Sequence, residues 1–214
     1  MEKGPERRRT LVTLAALRGI LAVVAIPAAP FLYDGHFLWL VLMRPTKEVF
    51  LFGAFLARTT EAPSLLLKVA FAGLPLAVGG VWLFYFLGRM YSKEVKSGDL
   101  PGVAGRLMPT RKISALGKVL KRKGPRLIFL GRLAAFPSSA VGAAAGATGV
   151  KSRQFLPADG LGAAVSIIEV MSIGYVLGGF FDPEDPVVSW TVTGAGILAA
   201  FALMFLLGRY LQKG

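Results

Sequence analysis

The sequence lacks cysteine altogether and has a single histidine, His36, among its 214 residues. Without cysteine the chain can form neither a disulfide nor a thiolate metal site. A Cys/His or Ser/His/Asp catalytic arrangement is also excluded, because the one histidine lies far in sequence from any candidate nucleophile. No glycine-rich phosphate loop with its lysine is present. We therefore expect no cofactor and no metal, and we interpret His36 as a loop or interface residue.

Charge is also scarce. Only 17% of the residues are charged, whereas a soluble globular domain carries about a quarter. Hydrophobic residues make up 54% of the chain and the mean hydropathy is +0.60. Several apolar runs exceed the roughly 20 residues needed to cross about 30 Å of hydrocarbon. These features predict an integral membrane protein; the alternative is a large soluble helical protein with a strongly apolar core.

Acidic residues are few, with 12 Asp and Glu against 25 Lys and Arg and a net charge of +13. Such a balance can indicate nucleic-acid binding. In a membrane protein the simpler explanation is that cytoplasmic loops collect Lys and Arg. Residues 89–126 hold eleven basic residues against Glu94 and Asp99. We interpret this segment as cytoplasmic and expect no nucleic-acid partner.

Four segments are predicted to span the membrane. The first lies within residues 1–36, most securely after Gly19; the others are 64–90, 155–181 and 187–207. The basic start followed by an apolar stretch also resembles a signal peptide. Arg18 interrupts that stretch, however, and no clean cleavage site follows, so we expect the segment to remain as the first span.

Two further apolar stretches are predicted to be re-entrant hairpins. Residues 37–58 carry Arg44, Lys47 and Glu48 at their centre, with Thr46 as the expected N-cap of the second helix. Residues 126–150 are interrupted by proline and several glycines. Irregular backbone at membrane depth is tolerated only where it is buried in protein or lines a wet cavity.

The distribution of charge supports this topology. With the N-terminus inside, four spans and two hairpins place twenty of the 25 basic residues on the cytoplasmic side and the acidic turn 182–186 outside. If 126–150 spanned instead, Lys151 and Arg153 would move outside and the acidic turn inside. We therefore expect both termini to be cytoplasmic, in what is most simply a bacterial inner membrane.

A short internal echo points to an inverted repeat. One span ends in Tyr85-Phe-Leu-Gly88 and the next in Tyr175-Val-Leu-Gly178, and each follows a predicted hairpin. In the predicted topology the first unit enters from outside and the second from inside. Inverted repeats of this kind place a substrate site near the midplane.

At these residues the chain resembles the DedA family, also called the SNARE-associated Golgi or VTT-domain family. The stretch "GRLAAFPSSAVGAAAGATGVKSRQF", followed by "GYVLG", is similar to the family pattern of Gly-Arg, proline, Ala-Gly and a later phenylalanine. "GGVWLFYFLGR" and "RPTKEVFLFGAFLAR" resemble two upstream family elements. The resemblance divides the chain into 1–36, a DedA/VTT-like core at 37–181, and 182–214. Within the core it predicts a hairpin at 37–58, a span at 64–90, a basic cytoplasmic segment at 91–125, a hairpin at 126–150 and a span at 155–181.

The family resemblance implies a lipid translocase of flippase or scramblase type. Its substrate would be a phospholipid or an isoprenoid-phosphate carrier, and its partners would be membrane lipids and the bilayer. The protein would not be an enzyme. It could also form a homo-oligomer. Two departures weaken proton coupling, since the family's second arginine falls on Ser138 and its aspartate on Val81. The candidate transport residues are Arg132, Glu48, Glu169, Ser138, Pro137 and Asp159.

Each candidate has a structural alternative. Arg132 either clamps a phosphate or pairs with a carboxylate or the interface. Glu169 either carries a proton or pairs with Arg132 or Arg58. Glu48 either belongs to the site or stabilises a helix N-terminus through the helix dipole.

The remaining candidates are Asp159, Ser138 and Pro137. Asp159 is read as a helix-start carboxylate near the cytoplasmic interface unless it takes part in transport. Ser138, with Ser139, either binds a headgroup or satisfies backbone groups freed by Pro137. Two rival functions also remain: a non-transporting scaffold or assembly factor, and an intramembrane lipid-phosphate enzyme that would need Glu48 and Glu169 as its acid/base pair.

Overall fold

The computed structural model describes residues 4–33, 35–100, 102–108, 110–124, 126–134 and 136–181, together with isolated positions from 187 onward. The predicted acidic turn 182–186 and about half of the last predicted span, 187–207, lie outside the described residues. Within the described part every regular element is a helix, which confirms the all-α fold class. The ten helices are α1 Gly4–Tyr33, α2 Phe37–Met43, α3 Lys47–Thr59, α4 Ser64–Met90, α5 Ser92–Ser97, α6 Gly102–Leu107, α7 Thr110–Lys123, α8 Arg126–Leu133, α9 Ser138–Ala147 and α10 Ser152–Gly178.

Three of the described helices are long and apolar enough to cross a membrane, over Glu6–Tyr33, Ser64–Met90 and Ser152–Gly178. A helix of 27 residues is about 40 Å long and exceeds the ~30 Å hydrocarbon core. Their outward faces are apolar, with exposed side chains such as Ile20, Phe71 and Ile168. Such a surface suits lipid and is costly in water. The chain is accordingly an integral membrane protein.

The basic segment 91–125 contains three helices, α5, α6 and α7, where the sequence indicated only a cytoplasmic topology signal. The longest of them, α7, buries Ile113 and Leu120, which are seven residues apart. That spacing puts both side chains on one face of a helix, and six of the remaining twelve positions are basic. The charge of the segment had masked this helical periodicity.

The chain divides into two compact units. Unit 1 comprises Met1–Val24, Val78–Arg132 and Phe136–Gly162. Unit 2 comprises Ala25–Ala77, Leu133–Ala135 and Ala163–Gly214. Each unit contains the second helix of one predicted hairpin, α9 in unit 1 and α3 in unit 2.

Unit 1 is held together by close packing of backbones around α9. Every residue of α9 from Val141 to Ala147 is buried. A Cβ at Gly146 would clash with the carbonyl oxygen of Tyr85 on α4, and one at Gly88 would clash with the carbonyl oxygen of Ala143. Only glycine allows backbones to approach this closely. The alanine and glycine content of α9 therefore has a packing explanation.

Tyr85 joins three elements of unit 1. Its ring is fully buried and stacks on Phe155 of α10, with 4.3 Å between ring centroids and 9° between planes. Its hydroxyl donates a 2.7 Å hydrogen bond to the carbonyl of Val150, in the turn between α9 and α10. The buried hydroxyl is thus satisfied, and α4 is tied to the start of α10.

Unit 2 packs mainly through large side chains. Phe50 and Leu51 of α3 are each 1% exposed, and Phe50 fills the space over Gly73 of α4. A Cβ at Gly174 of α10 would clash with the carbonyl oxygen of Leu51. The backbone of α10 therefore lies directly against α3 at this point, as α4 does against α9 in unit 1.

The two echoed sequence elements occupy corresponding places in their units. The Tyr85–Gly88 element of α4 packs on α9, the second helix of the later hairpin. In unit 2, Gly178 lies against the Phe55 carbonyl of α3, and the Arg58 guanidinium lies 5.3 Å from the Tyr175 ring centroid. Each echoed element thus packs on the second helix of the predicted hairpin that belongs to the other half of the sequence, α4 on α9 and α10 on α3. The sequence echo did not predict this pairing.

Thr46 is the N-cap of α3, as predicted, although its side chain makes no capping hydrogen bond. The hydroxyl oxygen is buried and makes no hydrogen bond. The Thr46 carbonyl accepts a 3.1 Å hydrogen bond from the Phe50 amide, so the backbone alone starts the helix.

Candidate functional site

Arg132 lies in the last turn of α8, which ends just before the irregular stretch leading to Pro137. Gly131 beside it is buried, and a Cβ there would come within 3.1 Å of the Phe136 ring. The folded-back Phe136 therefore fixes the end of α8 and the position from which Arg132 extends.

Arg132 makes a bidentate ion pair with Asp159 of α10. Its Nε donates to Oδ1 at 2.8 Å and its Nη2 donates to Oδ2 at 2.9 Å. The side chains are 11% and 3% exposed. Two parallel charge-assisted bonds of this length are the strongest way in which a guanidinium and a carboxylate can meet. Of the alternatives for Arg132, the structure realises pairing with a carboxylate.

Asp159, which its place in the sequence favoured as a helix-start carboxylate, is buried beside Arg132 of α8. It lies in the second turn of α10 and is 2% exposed. Because a buried carboxylate is costly without a cation, Arg132 explains why it survives there. The sequence separation of 27 residues concealed this partnership.

Gly162, one turn after Asp159, makes the ion pair geometrically accessible. A Cβ at Gly162 would lie 3.1 Å from the Cβ and 3.2 Å from the Cγ of Arg132. The aliphatic stem of the arginine can therefore lie flat on α10, with its guanidinium beside Asp159. Gly162 was not among the predicted site residues, although a glycine three residues after a carboxylate in a span was a usable signal.

Arg18 is a second residue that the sequence analysis did not assign to the site. Its guanidinium packs directly over Gly80 of α4, where any side chain would displace it. It also lies within electrostatic reach of Arg132. The available signal was an arginine inside an apolar span, which is rare unless it serves a function or has a partner.

Glu169 makes no ion pair with either arginine proposed for it. Arg132 bonds to Asp159, and Arg58 lies over the ring of Tyr175. The Oε2 atom of Glu169 is buried and makes no hydrogen bond. The pairing alternative is therefore wrong, and the buried carboxylate within a candidate span still needs an explanation.

Glu48 is exposed and stands in the first turn of α3. A carboxylate there interacts favourably with the positive end of the helix dipole. Its neighbour Lys47 points elsewhere and donates a 2.8 Å hydrogen bond to the carbonyl of Leu133 within unit 2. No hydrogen bond joins Glu48 to Glu169, so this geometry gives the proposed acid/base pair no support.

Pro137 and Ser138 begin α9. Pro137 occupies the N-cap position, and the hydroxyl of Ser138 donates a long 3.5 Å hydrogen bond to the carbonyl of Phe136. This is the local backbone role considered for the serines. Both residues follow Arg132 in sequence, and the irregular stretch that ends at Pro137 separates α8 from α9.

His36 lies on the rim of a separate cavity in unit 2, with a volume of about 590 Å³. Tyr33, Trp39, Thr60 and Lys68 also line it. Among the described residues, no group of three His, Asp or Glu side chains could hold a metal ion. The cavity mixes aromatic, hydroxyl and cationic side chains around a single histidine.

Comparisons with models of protein families, with curated proteins and with solved structures found no match for this chain. The resemblance to the DedA family therefore rests on the quoted motifs alone. Several motif positions have structural reasons within this chain: Gly131 makes room for Phe136, Gly146 lies against α4, and Phe155 stacks on Tyr85.

Proposed function

We propose that this integral membrane protein moves an anionic lipid across the bilayer, as a divergent member of the DedA family. The observation that carries the proposal is the buried cluster of Arg132 and Asp159, with Arg18 within electrostatic reach. Ionisable residues inside membrane segments are costly and typically mark substrate or ion pathways. A phospholipid or an isoprenoid-phosphate carrier has the phosphate chemistry that a guanidinium binds best.

The ion pair gives the proposed transport cycle a concrete step. A phosphate and a carboxylate both present two oxygens to the planar fork of a guanidinium. A lipid phosphate would therefore replace Asp159 at Arg132 during passage and release it afterwards. Because the pair is re-formed after each passage, Arg132 never remains buried without an anionic partner.

Corresponding packing in the two units supports an inverted repeat with two re-entrant hairpins. In each unit a glycine of a long helix meets a backbone carbonyl of the hairpin's second helix, Gly88 with Ala143 and Gly174 with Leu51. Inverted repeats place their substrate near the membrane midplane. We place both termini on the cytoplasmic side of a bacterial inner membrane, according to the distribution of basic residues.

Proton coupling is assigned to Glu169 rather than to Glu48. The Oε2 atom of Glu169 is buried without a hydrogen bond, whereas Glu48 is exposed. We expect that lipid transport by the Glu169→Gln variant no longer responds to an imposed pH gradient.

The proposal is tested by lipid movement in proteoliposomes. The purified chain is reconstituted with a fluorescent phospholipid, and a membrane-impermeant quencher is added outside. We expect quenching beyond the outer-leaflet half, and loss of that excess in Arg132→Ala. If the phospholipid does not move, the assay is repeated with a fluorescent isoprenoid phosphate; absence of movement for both substrates contradicts the proposal.

A charge exchange separates substrate binding from a purely structural ion pair. The double variant Arg132→Asp, Asp159→Arg keeps one positive and one negative group in contact. If Arg132 binds phosphate, this variant folds but transports poorly, because the guanidinium now extends from α10. If the pair only holds α8 to α10, folding and transport are both retained.

A non-transporting scaffold is the second candidate. It is favoured by the complete engagement of Asp159 by Arg132, which is the geometry of a structural staple. A scaffold predicts no lipid movement with either substrate and a stable protein partner recovered from the native membrane.

A further inference from the structure

Helix α7 carries an unusual concentration of positive charge. Six of its fourteen residues are basic and none is acidic. They are Arg111, Lys112, Lys118, Lys121, Arg122 and Lys123. Like charges four residues apart on a helix destabilise it by about 0.2–0.5 kcal/mol per pair. One such pair, Lys118 and Arg122, is present in α7.

The apolar face of α7 is already used inside the protein. Ile113 and Leu120 are 1% and 2% exposed, and α7 packs on α9. Between them, Gly117 makes room for Thr148, whose Cγ2 lies 2.7 Å from the position a Cβ would take. This amphipathic helix consequently does not bury its apolar face in the bilayer, as an in-plane membrane anchor would.

The opposite side presents a row of polar side chains, Ser114, Lys118 and Arg122, which we call the α7 basic face. They follow one another at intervals of four residues, so they lie on one stripe of the helix. With Ala115 and Val119 they line a groove of about 450 Å³. Lys118 and Arg122 are exposed, and neither makes an ion pair with a described residue.

Packing within unit 1 places this groove at the level where a candidate span ends. A Cβ at Gly146 of α9 would lie 2.7 Å from the backbone nitrogen of Arg89, near the end of α4. Thr148, two residues further on, contacts Gly117 of α7. The α7 basic face is therefore one helix away from the end of the apolar segment Ser64–Met90, a helix long enough to cross a membrane.

We infer that the α7 basic face binds the phosphate headgroup of an anionic phospholipid in the adjacent leaflet. Two cations with no ion-pair partner among the described residues, a groove between them and a position near the end of a candidate span match such a ligand. The apolar wall of Ala115 and Val119 can contact the glycerol and upper acyl region. The site is separate from Arg132 and does not depend on transport, so it can be tested even if no lipid is moved.

Native mass spectrometry of the purified full chain tests this inference. Phosphatidylglycerol and phosphatidylcholine are offered at equal concentration, and bound lipid is counted. Each basic residue contributes about 1 kcal/mol near an anionic surface. Lys118→Gln, Arg122→Gln is therefore expected to weaken phosphatidylglycerol binding about 30-fold, with little change for phosphatidylcholine.

The matched control removes the same charge from the same basic segment. Lys93→Gln, Lys96→Gln alters two exposed residues of α5 and should leave phosphatidylglycerol binding unchanged. Equal losses in both double variants would show that only net charge matters and would overturn the site. Equal binding of the two lipids by the unaltered chain would overturn it as well, and so would full displacement of bound lipid by millimolar inorganic phosphate.

A second measurement does not require the groove cations to be altered. The chain has no cysteine, so Ala115→Cys provides a unique labelling position for a fluorophore. In nanodiscs we expect stronger quenching by spin-labelled phosphatidylglycerol than by spin-labelled phosphatidylcholine at equal mole fraction. Equal quenching by the two lipids contradicts the inference even if the double variant fails to fold.

Discussion

The second helices of the two predicted hairpins, α9 and α3, pack against their neighbours in different ways. In unit 1, α9 is built almost entirely of small residues and lies against α4 with its backbone, through Gly142 and Gly146. In unit 2, α3 uses Phe50, Leu51 and Phe55 to fill its surroundings and meets α10 closely at Gly174. Small residues bring backbones together and leave little room for side chains to adapt. The charged pair Arg132–Asp159 belongs to the unit with this tighter packing.

The largest expected effect distinguishes the charged groups of the two units. Arg132→Ala leaves Asp159 buried without a cation, which costs about 3–5 kcal/mol when a buried pair is broken. The control is Arg58→Ala in unit 2, whose exposed guanidinium lies over Tyr175 and contributes about 1 kcal/mol. Thermal unfolding in detergent measures both variants.

The double variant Arg132→Ala, Asp159→Ala should recover part of the lost stability, because no unpaired charge remains. Equal small losses for Arg132→Ala and Arg58→Ala would show that the buried pair has no special importance for stability.

The second prediction concerns close backbone contact, which both units share. Gly146→Ala in unit 1 and Gly174→Ala in unit 2 force a Cβ against a carbonyl oxygen, so each should lose roughly 1–3 kcal/mol. Gly79→Ala on α4 meets no atom within 4 Å and should be neutral or stabilise the helix by up to about 1 kcal/mol. Unfolding temperatures of the three variants, measured in one detergent, decide the matter. A stable Gly146→Ala variant would contradict the proposed packing of α9.

The two echoed tyrosines provide a third, smaller test. Tyr85→Phe removes a partly buried hydrogen bond to the Val150 carbonyl and should cost about 1 kcal/mol. The hydroxyl of Tyr175 makes no hydrogen bond with a described residue, so Tyr175→Phe should be close to neutral. Comparison of the two unfolding midpoints tests whether the echoed elements have the same role; equal losses would mean that they do.

The smallest effect is expected at the surface of unit 1. Arg8 pairs with Glu94 at 3.0 Å while its side chain is 44% exposed. Arg8→Ala should therefore cost less than about 1 kcal/mol, and the difference should vanish in high salt. Arg9→Ala, which removes an exposed charge of the same kind from α1, serves as the control. A difference that persists at 1 M salt would mean that stacking on Tyr91, and not charge, holds Arg8 in place.

Much of the secondary structure could be predicted because apolar length and helix breakers are local properties. The run from Ser64 to Met90 was long enough to span and is helix α4. The charged centre of 37–58 and the proline of 126–150 each coincide with a break between two helices. Helix α7 escaped prediction because its basic residues were read for topology, while its apolar positions are few.

Of the ion pair at the candidate site, the sequence predicted the arginine but not its partner. An arginine in an apolar stretch requires an anion or the interface, which singled out Arg132. Its partner could not be read from sequence, because Asp159 and Glu169 lie on the same helix, ten residues apart. Which of them meets Arg132 depends on how α10 is positioned against α8, and the absence of a side chain at Gly162 leaves room there for the arginine stem.

The sequence by itself determined that this protein belongs in a membrane, that it is helical and where several of its helices are interrupted. Those properties follow from hydropathy, charge and backbone chemistry that each segment carries with it. Only the tertiary structure decided that Arg132 pairs with Asp159, that Arg18 approaches it, and that α7 covers α9 rather than the bilayer. Such contacts join residues distant in sequence, and they form only where glycine lets the backbones approach.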